Sequence, residues 1–323
     1  MITLAQVINT FESQLRQVYG NRLLPGHERA LSAMKRCRTS ASRQMLAQCP
    51  DCEHCTVIPH SCGHRLCPHC QSFESQRWLE RQQQLRVPCE YFLLTFTVPQ
   101  ELRALAFAKQ RRFYTALMHS AWHTIRTFTA NDKELKGVAG AIAVLHTHTR
   151  RLDYHPHVHL VVPAGAINAK DKHWRTRAKG GYLFSQKALA TVFKAKLLEQ
   201  LNSQSLAAPK QLATSWVVHC KSVGSGEKAL SYLGRYLYKG VVREKDILRM
   251  DGKHLTFRYS ENTGKVRTRR LSGAAFLWRL LKHTLPKGFR RARNYGFLHH
   301  NSKGRIRVLQ VILLHSGLLI AAT

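Results

Sequence analysis

Three sets of residues in this sequence have types and spacings that can do chemistry: imidazoles on an extended run, phenols one helical turn apart, and paired cysteines. The first set lies in Tyr154-His155-Pro156-His157-Val158-His159-Leu160-Val161-Val162-Pro163. Side chains alternate along a strand, so His157 and His159 share one face while Val158, Leu160 and Val162 share the other. Two imidazoles at i and i+2 are a natural pair of ligands for a divalent ion. A third donor is then needed: His155 is taken first, with His146 of His146-Thr-His148 or an acidic or amide side chain as rivals. A lone histidine would read as a surface residue, but five across one hairpin point to a site. A metalloprotease is excluded, since its histidine pair sits one helical turn apart in His-Glu-x-x-His.

The second set follows Ser222-Val-Gly-Ser-Gly-Glu-Lys228, in the run Tyr232-Leu-Gly-Arg-Tyr236. Residues four apart lie on one helical face, so the phenols stack one turn apart. Lys228 lies a turn earlier, and Arg235 and Lys239 flank the stripe. Such an aromatic pair commonly serves a core. This one is rimmed by cations and preceded by a glycine-rich loop able to approach a phosphate. A free tyrosine, with a pKa of about 10, is a poor nucleophile unless a cation or metal is close by.

The third set is the cysteines, seven of which fall between Cys37 and Cys70. Cys49-Pro-Asp-Cys52 and Cys67-Pro-His-Cys70 are two CxxC knuckles. Each can aim two thiolates at one ion, so the four are expected to complete a tetrahedral structural Zn²⁺ site. Cys37, Cys55 and Cys62 remain for a second site or for tuning the first. A redox knuckle would accompany a thioredoxin-like βαβ pattern, which the sequence lacks. A ribbon this small depends on its ion to fold.

These groups sit in a strongly cationic chain. Lys and Arg number 51 against 18 Asp and Glu, a formal net charge of +33 over 323 residues. That field attracts polyanions, nucleic acid above all, and argues against ordinary metabolic chemistry. With 44% hydrophobic and 9% aromatic residues the chain reads as folded rather than as a basic tail. No signal peptide or membrane-length apolar run is evident, so a cytoplasmic, nucleoid-associated protein without a membrane partner is expected. From Lys265 to Arg293 there are ten cations and no acidic residue, interleaved with Phe276, Trp278 and Phe289. Cations with aromatics for base stacking make a single-strand DNA track, with Arg290, Arg291 and Arg293 among its phosphate contacts.

The elements that must position these groups alternate irregularly. Helices are expected in 1–36 and over 73–86, 101–128, 185–202 and 225–239; strands over 91–98, 138–147, 157–163 and 216–221; and a hairpin over 255–271. The short connection before His157 permits only an antiparallel pair, which favours an α+β sheet over a doubly wound one. The domains expected are N-terminal helices (1–36), a zinc-binding domain (37–88), a catalytic domain (89–260) and a basic DNA-binding region (261–323).

Taken together, the motifs resemble the two-tyrosine HUH transposases of rolling-circle insertion sequences, the IS91 type. The resemblance runs from about Cys37 to Leu298. It is carried by Ser61-Cys-Gly-His-Arg-Leu-Cys-Pro-His-Cys-Gln71, His155-Pro-His-Val-His159, Tyr232-Leu-Gly-Arg-Tyr236, His283-Thr-Leu-Pro-Lys-Gly-Phe289 and Tyr295-Gly-Phe-Leu298. It implies an HUH fold, a central antiparallel sheet with flanking helices behind an N-terminal zinc ribbon. It implies a Mg²⁺ or Mn²⁺ ion on His157 and His159, and Tyr232 and Tyr236 as nucleophiles in successive transfers of single-stranded DNA at element ends. Where the family commonly carries Gly-Gly-His this sequence reads Ser42-Arg-Gln-Met45, and its apolar end suggests a truncated copy. Rival functions are a relaxase or replication initiator built from the same parts, and a non-catalytic zinc-ribbon binder of nucleic acid.

Overall fold

The computed structural model describes residues 1–168, 170, 173–177, 183–238, 241–261 and 263–321, and their side chains except at 238 and 316–321. Lys239 lies outside the described residues. The chain forms two compact units, one of 1–75, 148–154 and 238–287, the other of 76–147, 155–237 and 288–323. Among the described residues no helix is long and apolar enough to cross a membrane.

The first unit begins with helix α1 (Leu4–Tyr19), where Thr3 and Gln6 form a capping box that satisfies the first backbone donors. Leu4, Val7, Ile8, Phe11 and Leu15 recur at helical spacing and are buried. They pack on α8 (Gly273–Leu281), whose first residue lies so close to the Phe11 ring that a Cβ would overlap it. Helix α2 (Pro25–Arg36) carries Pro25 in its first turn and ends at Cys37. The hairpin of β1 (Gln44–Gln48) and β2 (Cys55–Pro59) follows, and a sheet of β10 (Ile247–Met250), β11 (His254–Ser260) and β12 (Val266–Ser272) completes the unit. Within it, the Asp153 carboxylate accepts hydrogen bonds from Arg269 and Arg279.

The second unit is built on an antiparallel sheet in the order β13-β5-β6-β3-β9. Its strands are β3 (Tyr91–Thr97), β5 (Gly140–His148), β6 (Tyr154–Pro163), β9 (Val218–Ser222) and β13 (Ala292–Gly296). Alternation in Tyr-Phe-Leu-Leu-Thr-Phe-Thr sets the two faces of β3. Phe92, Leu94 and Phe96 are buried, with Phe96 against Phe193 of α6 (Gln186–Ser203). Helix α5 (Gln110–Asn131) packs beside α6. Thr95 and Thr97 belong to the opposite face, in register with His159 and His157. On that face lie α3 (Ser72–Gln84) and α7 (Glu227–Tyr238), with Trp78 of α3 against Gly234.

The central antiparallel sheet agrees with the α+β reading, and several details differ from it. The helix expected over 101–128 divides at Lys109 into α4 (Arg103–Ala108) and α5. The strand expected over 138–147 divides at Ala139 into β4 (Gly137–Val138) and β5. Strand β4 joins β7 (Gly165–Asn168) and β8 (Trp174–Thr176) in a small sheet that no motif announced. The segment read as a basic loop supplies edge strand β13 and helix α9 (Lys303–Ala321). Strand β13 depends on a tertiary contact. Gly296 has φ +59°, and a Cβ there would meet the Ala139 carbonyl at 1.8 Å, so only glycine lets the two backbones meet.

Candidate metal and tyrosine centre

Strand alternation puts His157 and His159 on the β6 face opposite the buried Val158 and Leu160, and β5 brings His146 alongside. The ligand nitrogens of His146, His157 and His159 lie within 4.8 Å of one another. Nitrogens sharing an ion at about 2.1 Å each stand at most about 4.2 Å apart, so the triad fits a divalent ion after slight closure. His155 does not join the cluster; its ring lies 5.3 Å from that of His157. The geometric reason is the strand itself. Residues i, i+2 and i+4 span about 13 Å, whereas a neighbouring strand is about 4.8 Å away. The third imidazole therefore comes from β5, the rival donor rather than the first choice.

Two of the rings are oriented by contacts within the protein. His157 Nδ1 donates to the His155 carbonyl at 2.7 Å, which leaves Nε2 with its lone pair as the ligand atom. His159 Nδ1 lies 2.9 Å from Thr95 Oγ1. Burial lowers the His157 pKa to about 4 and holds His159 well below the usual imidazole range, so both are neutral near pH 7. Thr95 is a positioning residue that sequence reasoning passed over. Its one signal was a hydroxyl inside an otherwise apolar strand core.

Helix α7 delivers the phenols. Gly226, at φ +78°, starts it against Tyr91, whose ring leaves no room for a Cβ. Ala229, Leu230, Leu233 and Leu237 are buried, which turns the Tyr232–Tyr236 stripe along the side of the helix. The Tyr236 ring stacks on His146 with 3.2 Å between centroids and 11° between planes. Tyr232 lies 6.3 Å from His146 and 6.4 Å from His159, and is 40% exposed. Imidazoles and phenols some seventy-five positions apart thus meet in one cluster.

The cysteine cluster in the first unit is not the expected pair of knuckles. Cys37, Cys62, Cys67 and Cys70 converge, with Sγ–Sγ distances of 3.5 Å for Cys37–Cys70 and Cys37–Cys67 and 3.6 Å for Cys62–Cys70. Thiolates on a tetrahedral Zn²⁺ stand about 3.8 Å apart, so the set fits that ion. Bonding from Cys67 lowers Cys62 to about 5 while burial raises Cys37 to about 11, a sharing of protons that a divalent cation would replace. Cys67 and Cys70 stand as expected; Cys49 and Cys52 are outside the cluster, in the β1–β2 turn region. There the Cys49 amide donates to the His54 carbonyl and closes a local hairpin that keeps the knuckle to itself. The spacing Cys62-x₄-Cys67-x₂-Cys70 was the available signal.

Of the expected phosphate contacts, Lys228, Arg235 and Arg290 are exposed, and Arg291 and Arg293 half-buried. Phe276, Trp278 and Phe289 are buried, so none is open for base stacking.

Comparison with known proteins bears on both clusters. A family model described as "Transposase zinc-binding domain" matches residues 6–98, and one described as "Putative transposase" matches residues 140–305. The first span holds the cysteine cluster, the second the histidine triad and both tyrosines. The chain is 30% identical over 303 residues to "Putative transposase y4qJ" of Sinorhizobium fredii, covering 85% of this chain and 75% of that protein. It is also 30% identical over 278 residues to "Transposase for insertion sequence element IS801" of Pseudomonas savastanoi pv. phaseolicola, covering 79% of this chain and 65% of that relative. No solved structure matches the chain.

Proposed function

The chain belongs to the IS91 family of insertion-sequence transposases, and from that membership we propose that it nicks and transfers single-stranded DNA at element ends through a 5′-phosphotyrosine. The observation that carries this reading is the meeting of the His146, His157 and His159 ligand atoms with the Tyr232 and Tyr236 rings in one cluster.

In this reading Tyr232 and Tyr236 are the nucleophiles. A tyrosine Oη attacks phosphorus, an O–P bond forms, and the P–O3′ bond breaks. The phenolic proton ends on the departing 3′ oxygen, giving a free 3′-hydroxyl and a 5′ end held on the protein. A second 3′-hydroxyl can attack that phosphotyrosine and join a new strand. The three imidazoles would hold Mg²⁺ or Mn²⁺, which when bound supplies Lewis-acid stabilisation of charge on a non-bridging phosphate oxygen. A set of neutral imidazoles without a carboxylate favours Mn²⁺ of the two. Thr95 and the His155 carbonyl keep the rings aimed. Lys228 and Arg235 on α7, with Arg290, Arg291 and Arg293, would hold flanking phosphates. Zn²⁺ on Cys37, Cys62, Cys67 and Cys70 would be structural.

The test is a denaturing gel of the chain incubated with Mn²⁺ and a single-stranded oligonucleotide carrying an element end. A label at the 3′ end of the oligonucleotide should travel with the protein. The adduct should vanish with EDTA and in the Tyr232→Phe/Tyr236→Phe double variant. An adduct that survives the double substitution contradicts the proposal.

A further inference from the structure

A second cationic feature lies in the same unit as the histidine triad but shares no residue with it. A groove of about 830 Å³ runs along β13, walled by α3, α5 and α9. Arg81 of α3, Arg111 of α5, Arg290, Arg293, and Lys303 and Arg307 of α9 line it, and no described lining residue is acidic. Six cations from four separate stretches of chain repel one another in the free protein. That arrangement stores affinity for a polyanion.

The groove is built rather than incidental. Gln310 of α9 donates to the backbone carbonyls of Gln84 and Arg86 at 2.9 and 2.7 Å, fastening α9 to the end of α3. Asn294 donates to Gln82 Oε1 at 2.9 Å, tying the β13 floor to α3. The rings beneath are already engaged. Tyr295 stacks on Trp122 at 5.2 Å and 6°, Phe289 is buried under the Arg293 guanidinium at 5.4 Å, and His299 faces His300 at 4.0 Å. Single-strand tracks offer open aromatic faces to bases, and here Phe289 is buried and Tyr295 is stacked on Trp122. What the groove chiefly offers a ligand is cations.

The floor of the groove runs along the strand next to the one that carries His146. The Leu145 amide donates to the Arg291 carbonyl at 2.8 Å, so the ladder carries the Arg290 backbone to the level of His146 on the next strand.

We propose that this groove grips the sugar–phosphate backbone of DNA flanking the scissile phosphate, through phosphates and not bases, and so takes duplex as readily as single-stranded DNA. The proposal rests on the reading that the chain acts on DNA, but not on the tyrosine chemistry.

The test measures binding of three probes over a salt series: a duplex of arbitrary sequence, one of its strands, and an abasic strand of equal length. The Arg81→Gln/Arg111→Gln/Arg307→Gln variant, with its melting curve recorded, is compared with the unsubstituted chain and with the corresponding triple lysine variant. Loss of about three phosphate contacts should weaken all three probes roughly 10- to 100-fold at moderate salt and lower the duplex salt slope by about 2 to 3. The lysine variant should keep most of both. Unchanged affinity and slope would overturn the proposal, as would a loss confined to the base-bearing single strand. Adduct formation by the unsubstituted chain is scored separately. Its absence beside an altered slope would remove the phosphotyrosine reading and leave the groove standing.

Discussion

The imidazole of His146 lies face to face with the ring of Tyr236, 3.2 Å between centroids and 11° from parallel. A ring of the proposed metal triad is thus braced by one of the two phenols, while the other, Tyr232, is 40% exposed and meets His159 edge-on at 6.4 Å. The two tyrosines are not equivalent. In the proposed reading the ring of Tyr236 serves as scaffold and its hydroxyl does the chemistry. Tyr236→Phe should keep Mn²⁺ affinity unchanged, whereas Tyr236→Ala should weaken it several-fold by releasing His146. Calorimetric titration of Mn²⁺ into both variants checks this, and equal affinities would deny the bracing.

Thr95 acts on His159 through one hydrogen bond of 2.9 Å. Thr95→Val keeps the shape of the strand and deletes the hydroxyl that His159 Nδ1 bonds to. Metal affinity should fall roughly 10- to 100-fold, as for other groups that orient a ligating histidine. A melting temperature close to that of the unsubstituted chain would show that orientation, not folding, was lost.

How far the sequence anticipated this centre depends on the range of each interaction. Period-2 alternation in β6 and the i, i+4 spacing in α7 are local, so the facing of His157, His159, Tyr232 and Tyr236 was legible. The choice of His146 over His155 was not, because it is made by the lateral spacing of β5 and β6. The same holds for Cys37, thirty positions before Cys67, whereas Cys62 stands only five before it and was legible from that spacing. Nothing local tells the Cys67–Cys70 knuckle to close with Cys37 rather than with Cys49 and Cys52. Strand β13 reads Ala-Arg-Asn-Tyr-Gly, with little β character of its own, and exists by its ladder to Val144, Ala143 and Ile142.

The cysteine assignment predicts the outcome of single substitutions. Cys37→Ser or Cys62→Ser should release the zinc of this cluster, measured with a chromogenic chelator, and lower the melting temperature of the first unit. Cys49→Ser should leave that ion in place. Zinc lost with Cys49 and kept without Cys37 would reverse the assignment.

Acid should destabilise the first unit. His27 is 1% exposed, its Nδ1 accepts the Leu24 amide at 3.2 Å, and burial lowers its pKa to about 4 from 6.5. Burial takes His283 to about 3. The unfolded chain therefore binds more protons than the folded one below pH 6.5. Stability is intact above that pH and falls as the pH drops toward 4, with a slope of about 1.4 kcal/mol per pH unit for each proton. His27→Gln should make the fall in melting temperature across this window shallower. An unchanged slope would show that His27 is not the group responsible.

Locating the DNA on the protein puts the strand-transfer chemistry itself to the test. The chain is allowed to react with Mn²⁺ and a single-stranded element end, digested with trypsin and a nuclease, and sequenced by tandem mass spectrometry. A nucleotide remnant should appear on the phenolic oxygen of Tyr232 or Tyr236. A remnant on any other residue, or a cleaved strand with no protein attached, would contradict the joining of imidazoles and phenols in one strand-transfer pocket.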